Sequence, residues 1–301
     1  MDKFERIAEL KKEKNAVILA HYYVDEDVQK CADYIGDSFY LAKVATKVEQ
    51  DKIIFAGVEF MGESAKLLNP EKRVFMPEKT ADCPMAHMAT REEIEEMKKK
   101  YPDIAIVTYI NSTAELKSMT DVCVTSSNAV KICKKLPNDK IFFIPDQNLG
   151  DFIRKQLPEK QVFTNRGFCP RHAVMTEEDI LAAKKAHPNA LVAAHPECRE
   201  EVLKHCDFVG STSAIIDYVV EQEGEEFIIG TVDGVFPKIL ESAPNKKLYR
   251  VIDPQVCVNM KKVTLDKVID VLENETNEVF LDEEVAKKAM KPLEKMLELA
   301  K

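Results

Sequence analysis

A chain of 301 residues, 45% hydrophobic and 32% charged, has the balance of a soluble globular protein, and no apolar run approaches the roughly 20 residues that a bilayer span requires. A net charge of −9 excludes the broad Lys/Arg face that nucleic acid demands, so recognition of any anionic ligand has to be local. Length alone suggests about two domains, a figure that internal repetition raises. Neither a membrane nor a nucleic-acid partner is expected.

At the start of the chain, Met1 to Asn15 alternates Lys, Glu and Arg with Phe4, Ile7 and Leu10 at helical spacing. This predicts a surface helix rather than a signal peptide, and a cytoplasmic protein. Eight cysteines without a single CxxC pair argue against a disulfide framework, a zinc ribbon or a thioredoxin-like site. They are therefore core residues, metal ligands or nucleophiles.

Three segments then align without a gap: Asn15 to Ala45, Asp103 to Cys133, and Asn189 to Val219, offset by 88 and then 86 residues. Each opens with a short apolar run, reaches His21, Tyr109 or His195, passes an amphipathic stretch and carries Asp33, Asp121 or Asp207. Each ends at a small hydroxyl cluster: Asp37-Ser38, Thr125-Ser126 or Ser211-Thr212. The following stretch Asp51 to Phe75 matches Asp139 to Phe163 at the same offset of 88, with a more diverged third copy around Phe227 to Tyr249. The order within a unit is strand, helix, strand, helix, strand, which calls for parallel pairing through right-handed crossovers.

The predicted fold class is α/β: three homologous three-layer αβα domains with small parallel sheets, in a pseudo-threefold arrangement around a central active site. The domains span 1–87, 88–174 and 175–263. The segment 264–301 has no counterpart in the repeats and is expected to pack back on the first domain. An extended solenoid is the alternative, but complete α/β sandwiches of this size fit a closed arrangement better than an array of bare supersecondary units.

Near the end of each unit stands one cysteine, Cys83, Cys169 or Cys257, at separations of 86 and 88 residues. If the units surround an axis, these three meet in one metal site. Three thiolates suit a closed zinc site completed by His172 or His87, or a [4Fe-4S] cluster with one iron left open to act as a Lewis acid. Cys31, Cys123, Cys133, Cys198 and Cys206 fall off the period or inside apolar stretches and are assigned to the core.

The repeat also aligns His21, Tyr109 and His195 and, two residues later, Tyr23, Asn111 and Glu197. Both positions follow an apolar strand, and strand carboxyl ends are where open parallel sheets bind ligands. Ser38, Ser126 and Ser211-Thr212 each stand where a helix is expected to begin. Singly they read as N-caps; together, three helix N-termini facing an axis make an anion site for phosphate and carboxylates.

These motifs resemble quinolinate synthase, the iron-sulfur enzyme family of NAD biosynthesis. The residues that carry the likeness are His21-Tyr22-Tyr23, Gly36-Asp37-Ser38, Cys83-Pro84-Met85, Tyr109 to Ser112, Thr125-Ser126, Cys169 to His172, His195 to Cys198, Gly210 to Ser213 and Cys257 to Lys261. Val263 departs from the Asn often found there, leaving Thr264 as a helix cap. The resemblance implies a transferase-type condensing enzyme that joins iminoaspartate to dihydroxyacetone phosphate, with loss of phosphate and two waters, to form quinolinate. It favours a [4Fe-4S] cluster on Cys83, Cys169 and Cys257, and implies a functional link to the enzyme that makes iminoaspartate. It makes Tyr23, Glu197, His195 and His21 catalytic, with Tyr23 and Glu197 moving protons. Substrate binding falls to His21, Ser38, Tyr109, Asn111, Ser126, His172, His195, Glu197, Ser211 and Thr212. Another [4Fe-4S] hydroxy-acid dehydratase, or a phosphometabolite-binding protein with structural zinc, are the competing readings.

Overall fold

Apolar runs of four to six residues alternate with amphipathic stretches along the chain, and in the computed structural model, which describes residues 2–301, they become twelve strands and fourteen α-helices. The first unit contains α1 (Lys3–Glu13), β1 (Ala16–His21), α2 (Glu26–Cys31), β2 (Tyr34–Gly36), α3 (Ser38–Ala45), β3 (Lys52–Ala56), α4 (Glu59–Leu68) and β4 (Arg73–Phe75). In the second are α5 (Arg91–Lys100), β5 (Ala105–Tyr109), α6 (Ala114–Lys117), β6 (Val122–Val124), α7 (Ala129–Lys135), β7 (Lys140–Ile144), α8 (Gln147–Gln156) and β8 (Gln161–Thr164). The third comprises α9 (Glu177–Ala186), β9 (Leu191–Ala194), α10 (Glu200–Leu203), β10 (Phe208–Val209), α11 (Thr212–Glu221), β11 (Glu226–Gly230), α12 (Phe236–Ser242) and β12 (Lys247–Arg250). Helices α13 (Leu265–Asn274) and α14 (Glu283–Leu299) close the chain.

The architecture is α/β with three separate parallel sheets of order β2-β1-β3-β4, β6-β5-β7-β8 and β10-β9-β11-β12, each flanked by helices. Each sheet has four strands, where the sequence predicts three. The additional strand is only two or three residues long, and so short an apolar run between an aspartate and a hydroxyl cluster carries no period-two signal of its own.

The repeated aspartates explain how such a short edge strand is held. Asp33, Asp121 and Asp207 accept the main-chain N–H of Ile18, Ile106 and Val192 at 2.8, 2.7 and 2.8 Å. Each also donates its own N–H to the carbonyl of that same residue at 2.9 Å. This two-point clamp sets the register of the edge strand on the first strand of its unit. These residues build the scaffold.

The strand order places a topological switch point between β1 and β3, and likewise between β5 and β7 and between β9 and β11. Connections leave these neighbours in opposite directions, opening a crevice at their carboxyl ends. Helix α13, capped by Thr264 accepting from Lys267 N, packs on α1, α2 and β3. The stripe Ala289, Pro292, Leu293 and Met296 is the buried face of α14, which lies against α4 of the first unit and also against β6, α6 and α7 of the second.

Removing one clamp leaves a main-chain N–H without its acceptor. Asp121→Ala should lower the unfolding free energy by about 1–3 kcal/mol in urea titrations while leaving activity per folded molecule unchanged. A stability equal to that of the unaltered protein would remove the clamp from the account.

Candidate active site

The carboxyl ends of β1, β5 and β9 and the short loops that follow deliver His21 and Tyr23, Tyr109 and Asn111, and His195 and Glu197 to one cavity shared by all three units. Both histidines are almost fully buried, and their Nδ1 atoms accept main-chain N–H bonds from Tyr23 (3.2 Å) and Glu197 (3.3 Å). That acceptor role leaves Nε2 to carry the proton of the neutral ring. Burial lowers the His21 pKa to about 3 and that of His195 to about 4, so both rings are uncharged donors near neutral pH.

A continuous chain of hydrogen bonds crosses the three units. Tyr109 donates its hydroxyl to Glu197 Oε1 at 2.6 Å, and His172 Nδ1 lies 2.7 Å from Glu197 Oε2. The other ring nitrogen of His172 bonds the Thr231 hydroxyl at 2.9 Å; Thr231 meets Tyr23 at 2.7 Å, and Tyr23 meets Thr212 at 2.9 Å. Burial opposes the ionisation of Glu197, yet the neighbouring His195 and His172 and the bonds from His172 and Tyr109 hold its pKa below the usual carboxylate value. Burial, followed by the Glu197 charge, raises Tyr23 and Tyr109 above the ordinary phenol range. The centre therefore couples one buried carboxylate to two neutral phenols through hydroxyl and imidazole groups.

Cys83, Cys169 and Cys257, in the loops beyond β4, β8 and β12, line the same cavity. Burial raises the pKa of all three, that of Cys83 to about 12. Cys83 is pushed further by Cys257 and Glu197, and Cys169 by Glu197 and Cys83. Nearby main-chain N–H groups oppose that rise in part: Met85 and Ala86 at Cys83, His172 at Cys169, and Asn259 and Met260 at Cys257. Among the described residues, the one donor trio within single-ion spacing, all atoms inside 4.8 Å, is Cys169, His172 and Glu197. Cys31, Cys123, Cys133 and Cys198 are buried in the core, Cys206 is partly buried, and no disulfide links any of the eight.

Every candidate from the sequence lines this cavity except Ser211 and His87, the latter an exposed side chain bonded to Asp82 at 2.7 Å. Ser211 is the N-cap of α11, accepting from Ala214 N at 3.3 Å, and its neighbour Thr212 faces the cavity instead. Ser38 opens α3, whose cap is Asp37, whereas Ser126 lies in a turn. Asn128 Oδ1 accepts from Thr125 N at 2.8 Å there and delays the start of α7 to Ala129. The Oδ1 of Asn111 is buried and has no partner among the described residues. Thr231 and Asp146 escape the sequence reading. Both stand just after the third strand of their unit, across the switch point from the loops already singled out, and that place in the repeat is the signal that could have found them. Asp146 is fully buried and braces the Cys169 loop by accepting from Cys169 N at 3.0 Å.

Fold and site together define a three-unit α/β enzyme with a histidine, carboxylate and cysteine centre where the units meet. The family model described as quinolinate synthetase A protein matches residues 5–298. Among curated relatives, the quinolinate synthase of Fusobacterium nucleatum is 55% identical over 98% of this chain and 99% of its own length. That of Caldicellulosiruptor saccharolyticus is 50% identical over 100% and 99%, and that of Clostridioides difficile 43% over 98% and 97%. The chain belongs to the quinolinate synthetase A family of enzymes.

Both lowered histidines have a consequence for stability. With folded pKa values of about 3 and about 4 against an unfolded value of 6.5, the unfolded chain binds more protons in that window, and stability falls as the pH drops below 6.5. Each ring should contribute up to about 1.4 kcal/mol per pH unit of that loss. Urea unfolding at pH 7 and pH 5 measures it, and His21→Asn should reduce the difference; an unchanged difference would assign the acid sensitivity elsewhere.

Proposed function

We propose that this enzyme is a quinolinate synthase, condensing iminoaspartate with dihydroxyacetone phosphate to quinolinate with release of phosphate and two waters. The observation that carries the reading is a single cavity in which one cysteine from each unit faces the Tyr109, Glu197, His172, Thr231 and Tyr23 chain. Membership of the family and the names of the relatives agree with it.

Cys83, Cys169 and Cys257 suit a [4Fe-4S] cluster: three thiol donors, one from each unit, line one buried cavity, and nearby main-chain N–H groups favour their thiolate forms. When bound, such a cluster supplies a Lewis acid to an oxygen of the substrate.

The protein's own groups divide the remaining work. Neutral His21 and His195 donate through Nε2 to substrate carboxylates without placing a fixed charge in the site. Asn111 Oδ1, a buried acceptor without a partner, meets the nitrogen-bound proton of the imine. Ser38, Ser126 and Thr212, with the N-termini of α3 and α11, bind phosphate and carboxylate oxygens. Ionised Glu197 takes a proton, while Tyr23, joined to Glu197 through Thr231 and His172, returns one. No helix among the described residues is long and apolar enough to cross a membrane. A cytoplasmic location suits eight free thiols, and a short-lived imine calls for a functional link to the enzyme that makes it.

Anaerobically purified protein should contain about four iron and four sulfide per chain, as a [4Fe-4S] centre requires. Cys83→Ser, Cys169→Ser and Cys257→Ser should each lose the iron and the activity, with Cys133→Ser close to normal. Full iron in any of the first three would sink the ligand assignment, and one zinc per chain would favour the structural-metal reading. In a separate test, Glu197→Gln should keep cluster and substrate binding while kcat falls roughly 10²-fold, the usual scale for losing a positioned base. An unaltered kcat in single-turnover experiments would remove Glu197 from proton transfer.

A further inference from the structure

Each loop that presents two site residues is also gripped from behind by a side chain with no part in the chemistry above. In the first unit this is Gln29 of α2, 4% exposed. Its Nε2 donates to Tyr22 O (2.8 Å), Val24 O (3.2 Å) and, across the boundary with the third unit, Gly234 O (3.0 Å). The approach is close enough that a Cβ on Gly234 would lie 2.2 Å from Tyr22 O.

The second unit uses Lys117 of α6, which is fully buried. Its ammonium donates to Ser112 O, the carbonyl of the residue after Asn111, and lies 5.6 Å from the ring centre of Phe60 on α4 of the first unit. Glu63, one turn along α4, accepts from Ala114 N at the start of α6 at 2.8 Å and compensates the lysine charge without bonding it. Gln29 and Lys117 are 88 residues apart, as are Val24 and Ser112, so the same grip recurs at the same place in the repeat. In the third unit that place is Leu203, which has no donor. There Asn148 of α8, from the second unit, donates to Glu197 O at 3.0 Å. All three unit boundaries are thereby tied to a loop of the site.

Stability is a poor reason to bury Lys117. Desolvating an ammonium costs more than one carbonyl and one aromatic face return, and apolar residues of similar size often serve stability equally well. What the lysine does secure is the placement of one peptide next to Asn111, whose unpartnered Oδ1 must meet a ligand atom at hydrogen-bond distance.

We propose that Gln29, Lys117 and Asn148 are positioning residues, each fixing one substrate-facing loop against the neighbouring unit, and that Lys117 sets the reach of Asn111 and Tyr109. What those loops bind rests on the quinolinate synthase reading; the latching itself does not.

The test compares Lys117→Met, which keeps length without a donor, with Lys117→Gln, which installs the residue used in the first unit. In the cluster-loaded enzyme, Lys117→Met should raise the Kd for quinolinate by about tenfold and lower kcat/KM by about as much, the scale of a small misplacement of binding groups. Lys117→Gln should restore most of both. Asn148→Ala should lower kcat with KM little changed, because it displaces the base rather than a binding group. Hydrogen exchange of residues 109–113 should quicken about tenfold in Lys117→Met and far less in Lys117→Gln, a sign of local opening.

A folded Lys117→Met with normal Kd, kcat/KM and exchange, or a Gln variant no better than Met, overturns the proposal. If Lys117→Met does not fold, a normal kcat in Asn148→Ala does so. Unaltered enzyme that neither makes nor binds quinolinate refutes the functional reading alone, and the exchange data then decide the latch.

Discussion

A carboxylate with 3% exposure has to find hydrogen bonds for both oxygens, and Glu197 takes both donors from another unit: Tyr109 for Oε1 and His172 for Oε2. That requirement organises the centre. Because His172 spends its Nδ1 on Glu197, its second nitrogen is left for Thr231, and Thr231 in turn holds Tyr23 of the first unit. His172 also lies three residues after Cys169, so the placement of one thiol is coupled to the placement of the carboxylate. The three units are joined through the polar groups of this cavity as well as through apolar surface.

The charges follow from the same burial. A chain of net charge −9 that had to hold an anion in this cavity could line it with lysines, but such lysines would pair with Glu197. Among the described residues no lysine lines the cavity, and beside Arg171 its donors are neutral: imidazoles kept uncharged by burial, hydroxyls, and the main-chain N–H groups of two helix starts. The thiols face the opposite problem, since burial and the Glu197 charge both disfavour three thiolates, and only a strongly cationic partner makes that set of donors stable as anions.

Much of this was legible in the sequence because the repeat compares each unit with the other two. The offsets of 88 and 86 residues locate the strand-end pairs and the three cysteines, and strand ends in parallel sheets make them one site. The fourth strand of each sheet was not legible. Two or three residues have no detectable period, and the strand exists because Asp33, Asp121 or Asp207 clamps it from its end. Ser126 was expected at a helix start, yet the Asn128 side chain offers the backbone a competing turn and the helix begins later. Ser211 and Thr212 are neighbours in sequence, but only one can cap the helix while the other faces the cavity.

What stayed hidden has a common cause. Thr231, Asn148 and Lys117 owe their roles to a neighbouring unit, and alignment of units against one another reports what they share, not what one presents to the next. At the Gln29 position the three units carry Gln, Lys and Leu, which in an alignment looks like a site under no constraint. In space the task persists at every boundary, performed by an amide, an ammonium, or an asparagine reaching over from the adjacent helix. The constraint acts on the loop being held rather than on the residue holding it. A pseudo-symmetric protein can therefore keep the geometry of its site while the residues behind it diverge, and position-by-position comparison will miss that shell even where it recovers every residue that touches the ligand.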